Sequence, residues 1–158
     1  MRDETRRLVE HLDQAFTGRA WHGPTLMGTL RGVTARQALW RPAPGRNTVW
    51  QLVLHTAYWK DRVRARLAGE RGSRFPRGPA NFPAVPEPAD QRALAGDLEL
   101  LQECHRRLRE VVAALPARRL DTRVGRSRWT HRATIIGIAS HDLYHAGQIQ
   151  LIRRLYAS

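Results

Sequence analysis

The chain has 158 residues, of which 42% are apolar. That suits one domain over residues 1–158 with a real core, and it excludes a wholly disordered chain. Its formal net charge of +13 raises the prior for a polyanionic partner. However, Lys60 is the one lysine, and the arginines spread along the whole sequence. Solvated helix faces account for that spread better than a dedicated nucleic-acid surface does, so any nucleic-acid binding is expected to be weak and non-specific. No apolar run approaches the ~18 residues of a membrane span. Residues 1–16 mix charged and apolar side chains, with no signal-peptide core. The single cysteine, Cys104, excludes a disulfide framework and a Cys-built zinc site. A cytoplasmic location is expected.

The first helix is expected from near Asp3, with Leu8, Leu12, Ala15 and Phe16 on one face, and Gly18 interrupting it. Gly23-Pro24 reads as a restart, because proline suits a first helical turn. Thr34 and Gln37 have the spacing of a capping box for a short helix, and residues 41–47 read as a loop. Thr48 and Gln51 form a second capping box, which opens a long helix to about Ala68. Leu52, His55, Trp59 and Arg62 share one of its stripes.

Residues 69–88 hold five prolines and three glycines, so they read as a connection without regular structure. Tight antiparallel helices need only ~2–8 linking residues. A Pro-rich segment this long can run the length of a helix, which predicts a crossover between roughly parallel second and third long helices. The third begins near Pro88 or Ala89 and ends before Pro116. Its Leu94, Leu98, Leu101, His105, Leu108, Val112 and Leu115 form an a/d seam. The last long helix starts after Thr130 and runs to about Tyr156. No strand-like alternation intervenes. The expected fold is all-α, a four-helix bundle with one long crossover.

His141 and His145 stand one turn apart in SHDLYHAGQI, so both imidazoles can meet one cation. Thr134, Ile138, His141, His145, Gln148 and Ile152 are expected to share the inward face. His55, on the inner stripe of the second long helix, supplies a third ligand. Three neutral imidazoles suit a divalent transition metal (zinc, nickel or iron) and leave coordination positions open, which marks a reactive site. HDLYH resembles the metalloprotease H-E-x-x-H motif. Yet aspartate replaces the glutamate base, and no His or carboxylate follows His145, so a protease is not expected.

Other residues are secondary. Trp21 and His22 are candidates for the site mouth. His105 reads as a satisfied core histidine, and Gln148 as a partner one turn beyond His145. Asp142 and Tyr144 flank the ligands, off the centre of the inner stripe. Arg62 is a candidate for a substrate carboxylate or a surface salt bridge. Cys104 reads as buried and inert.

WHGPTL (21–26), TVWQLVLHTAYW (48–59) and SHDLYHAGQIQLIRR (140–154) together resemble the DinB/YfiT-like superfamily. The resemblance covers nearly the whole chain. It implies an up-down-down-up four-helix bundle, a metal triad at His55, His141 and His145, and a homodimer. Relatives with known activity are thiol-dependent: bacillithiol S-transferases and the mycothiol-dependent maleylpyruvate isomerase. The expected function is thus a metal-dependent S-transferase that joins a low-molecular-weight thiol to an electrophile. The alternatives are a metal-dependent hydrolase on the same histidines, or a basic nucleic-acid or partner-binding module with a structural metal.

Overall fold

A computed structural model describes residues 2–158, with side chains from Glu4 onward. The described residues form six α-helices, one short 3-10 turn and no strand: α1 (Arg2–Phe16), α2 (Leu26–Leu30), α3 (Ala35–Leu39), α4 (Val49–Leu67), α5 (Gln91–Ala114) and α6 (His131–Ala157). The expectation of an all-α fold is met. Among these helices, none is long and apolar enough to cross a membrane.

Side-chain caps set most of the helix starts. Thr48 accepts from the Gln51 N–H, and Gln51 returns a bond to the Thr48 N–H, so the reciprocal box is complete. Asp90 caps α5 by accepting from the Ala93 N–H, and Thr130 caps α6 by accepting from the Ala133 N–H, each without a returned bond. Such a cap contributes ~1 kcal/mol. At Thr34 the threonine caps the Gln37 N–H, but the neighbouring Ala35 N–H is taken by Gln91 at the start of α5. The restart expected at Gly23-Pro24 falls slightly later. Thr25 accepts from the Gly28 N–H and is the true cap, so the proline stands before the helix.

α4 packs on α5 and α6, and α1 packs on the other side of the same two helices. Trp50 Nε1 donates to Asp97, and ten residues on, Lys60 meets His105. Matching ends of α4 and α5 therefore lie together, as a crossover connection requires. Residues 69–88 carry no regular structure. They are pinned to the bundle by Phe75, which is buried edge-on against Tyr58, and by Arg77, which pairs with buried Asp97.

The core divides into two apolar clusters. One is centred on Trp50, Leu54, Leu101 and Ile149, the other on Leu12, Leu67, Leu108 and Ile135. A polar layer lies between them, to which α4 gives Lys60, α5 His105 and α6 Asp142. The α6 face is rotated from the expected one. Its deepest residues are Ile135, Ala139, Asp142 and Ile149, whereas Thr134, His141 and Gln148 are only half-buried. Asp142 therefore lies at the centre of the inner stripe rather than beside it, and the histidines sit toward its rim.

Candidate metal centre

Three segments assemble the site. α4 presents His55, α6 presents His141 and His145, and the crossover supplies Asn81 and Phe82. The Nε2 atom of His141 lies 3.1 Å from that of His55 and 3.1 Å from that of His145. Three nitrogens at ~2.0–2.1 Å from one ion would stand ~3 Å apart, so the spacing is compatible with a metal site.

The other ring nitrogens fix which atoms carry lone pairs. His55 Nδ1–H donates to the main-chain carbonyl of Asn81 at 2.7 Å, which can only accept. His145 Nδ1–H donates to Gln148 Oε1 at 2.6 Å. In the neutral rings both Nε2 atoms are then bare acceptors, directed at His141. One N–H on His141 cannot satisfy both with good geometry, whereas a cation satisfies all three lone pairs. His141 Nδ1 is buried without a hydrogen-bond partner.

Burial also keeps the rings neutral. It is the largest cause lowering the His141 pKa to about 3, and the neighbouring histidines and the Lys60 ammonium push the same way. His145 is lowered to about 4, again chiefly by burial. For His55 burial outweighs the opposing bond from Asn81, so its pKa also falls. The rings are thus held as ligands well below the free-histidine range of ~6.5.

The surround is aromatic and partly open. Phe82 stacks on the His55 ring at 4.1 Å, and Trp59 meets His55 edge-on while donating its indole N–H to Asn81 Oδ1. Tyr144, 64% exposed, stands at the rim. The cavity above the histidines measures about 540 Å³ and is also lined by Asn47, from the loop ahead of α4. No fourth His, Cys, Asp or Glu joins the cluster among the described residues.

Residues 19–149 match the profile of the DinB superfamily. The chain belongs to the DinB superfamily. No curated protein matches it. In this DinB-superfamily chain the remaining sequence candidates scatter. Trp21 is 102% exposed and His22 is exposed, and neither lines the histidine cavity. Arg62 lies over the Tyr58 ring. Cys104 is buried, which raises its thiol pKa to about 12, so it is not an activated nucleophile.

His105 is a satisfied core histidine, bonded to Lys60 and Asp13 and stacked on Phe16. Asp142 orients no imidazole. Its carboxylate accepts from Lys60 at 2.6 Å, and both side chains are fully buried. Sequence reasoning missed this pair and the two crossover residues, Asn81 and Phe82.

Proposed function

We propose that this DinB-superfamily chain is a metal-dependent enzyme in which His55, His141 and His145 hold one divalent transition metal: zinc, nickel or iron. The observation that carries the reading is the convergence of three Nε2 atoms, that of His141 3.1 Å from each of the other two, around which a single His141 N–H cannot satisfy both facing lone pairs. When bound, such an ion supplies Lewis acidity that lowers the pKa of a thiol or water in an open position.

The chain's own residues prepare that position. Asn81 and Gln148 lock the His55 and His145 rings with Nε2 turned inward. Phe82 and Trp59 wall the His55 side with apolar surface and restrict water there. Access is left on the Tyr144 and Asn47 side, where an electrophile enters.

The reaction we assign is transfer of a low-molecular-weight thiol to an electrophilic substrate, as the family resemblance suggests. By the same resemblance, the working unit is a cytoplasmic homodimer. Metal analysis of purified protein should give about one ion per chain, falling sharply in His55→Ala, His141→Ala and His145→Ala. Metal-loaded protein should consume thiol together with an electrophile, and chelated protein should not. Full occupancy in the His141→Ala, His145→Ala double variant would sink the ligand assignment. Ester or amide cleavage without thiol consumption would replace the transferase with a hydrolase.

A further inference from the structure

The histidine cavity is not the only concave site along α4 and α6 among the described residues. A second cavity, of about 870 Å³, opens toward the C-terminal end of α4 and is closed by the loop before α6. Arg66, Arg119, Arg126 and Trp129 line it, with Thr134 and Gly137 of α6. The two cavities have no lining residue in common, but their linings touch. Arg66 lies over the ring of Trp59, which lines the histidine cavity, and Gly137 is one turn before His141.

The far cavity is built rather than improvised. The Val124 N–H donates to the Trp129 carbonyl, the His131 N–H to Thr122 and the Arg132 N–H to Leu120, so the loop is laced to the start of α6. Arg128 covers the Trp129 ring at 4.6 Å. One carboxylate, Glu70, reaches the lining, but Arg64 holds it with two parallel bonds. Among the described residues no carboxylate pairs with Arg66 or Arg126. A concave site with three guanidinium groups, an exposed indole and one already-neutralised carboxylate selects an anion.

We propose that this cavity binds the anionic end, a carboxylate or phosphate, of the small molecule that reacts at the histidine site. This rests on the reading of that site as reactive. Thr134 and His141 are seven residues apart on one helix, a rise of ~10 Å. The substrate therefore carries its anionic group about that far from its reacting atom. Gly137, which lines the far cavity one turn before His141, is exposed, and a Cβ placed there meets nothing within 4 Å, so no side chain of α6 stands at that point between the two cavities.

Three measurements on the purified full-length protein after incubation with metal, its metal content determined alongside, test the proposal. Inorganic pyrophosphate, titrated at physiological salt, should quench Trp129 emission, with the signal absent from Trp129→Phe. Binding should weaken about tenfold in Arg66→Gln and Arg126→Gln while metal content stays unchanged. An eight-carbon ω-mercaptoalkanoate should bind about tenfold tighter than its methyl ester by calorimetry, and Gly137→Leu should abolish that advantage without displacing pyrophosphate. No pyrophosphate binding, or binding indifferent to both arginine variants, overturns the anion site whatever the metal does. A carboxylate advantage that persists in Gly137→Leu overturns the spanning substrate. Tighter capture of a single-stranded oligonucleotide than of either small probe assigns the cavity to nucleic acid and overturns the proposal. Failure of the histidine reading appears separately, as protein that binds pyrophosphate but holds no metal.

Discussion

Replacing Lys60 with methionine tests the polar layer at the centre of the bundle. The ammonium is fully buried, 2.6 Å from Asp142, 3.3 Å from His105 Nδ1 and 4.7 Å above the Phe16 ring. Methionine keeps much of the volume but leaves Asp142 with no counter-charge, and Asp142 Oδ1 already lacks a partner. Removing one member of a buried pair costs ~3–5 kcal/mol. For a chain of this size that lowers Tm by roughly 6–20 °C. Burial pushes the Asp142 carboxyl up, and in wild type the Lys60 ammonium pulls it back. In Lys60→Met nothing opposes burial, so the folded state binds a proton more tightly than the unfolded chain does. The deficit relative to wild type should then shrink as pH falls, by up to ~1.4 kcal/mol per pH unit below the raised pKa. Urea melts of metal-free protein at two pH values measure both effects. Lys60→Met/Asp142→Leu should recover most of the loss, since a well-packed apolar replacement of an ion pair is near neutral. A single-variant loss below ~1 kcal/mol, or a double variant no better than the single, refutes the reasoning.

Wild-type stability should be full above ~6.5 and decline as pH drops, because the unfolded histidines take protons that folded His55, His105, His141 and His145 refuse. A urea midpoint independent of pH between neutrality and mild acid would contradict this. Metal should be retained below the free-histidine range for as long as the fold lasts, since the folded rings are already neutral; metal content after dialysis at graded pH reads it. Gln148→Leu releases His145 Nδ1 and should weaken metal affinity by ~10–100-fold, measured by chelator competition. DNA binding should be weak, indifferent to sequence and steeply reduced by salt, as a fluorescence-anisotropy titration at two salt concentrations would show.

The i, i+4 histidines were readable from helical spacing, and His55 of α4 from its place on the inner stripe together with the family resemblance. The Thr48 box, the Thr130 cap and the Pro-rich gap were readable for local reasons. Asn81 and Phe82 were not, because the path of a segment without periodicity is set by what it packs on. Here that is Trp59 and the His55 ring. The error at Asp142 is different, since a signal was present. Ile135, Ile138, Asp142, His145, Ile149 and Ile152 step by three and four residues, and all are buried. That seam puts the aspartate inside, and a buried carboxylate requires a counter-charge. Taking the stripe through Thr134 and Gln148 instead rotated the helix and concealed the match with the one lysine.

The position of the pair gives it a consequence beyond stability. On α6, Asp142 follows His141 directly, and on α4, Lys60 lies five residues beyond His55. The contact that joins the charges and the contact that joins the histidines therefore fix the same register between the two helices. A slip of α6 by one turn would exchange one aliphatic contact for another at modest cost, but it would strand both charges in the core. The ion pair thus excludes the registers in which the three Nε2 atoms fail to meet. Lys60→Met/Asp142→Leu removes that exclusion while restoring apolar packing. The double variant should fold with near-wild-type stability yet bind metal more weakly, by about the tenfold or more that misplaced ligand support costs. Chelator competition on the same preparation used for the urea melts separates the two effects. Unchanged affinity in a stable double variant would show that packing alone sets the register, and the pair would then have no part in building the site.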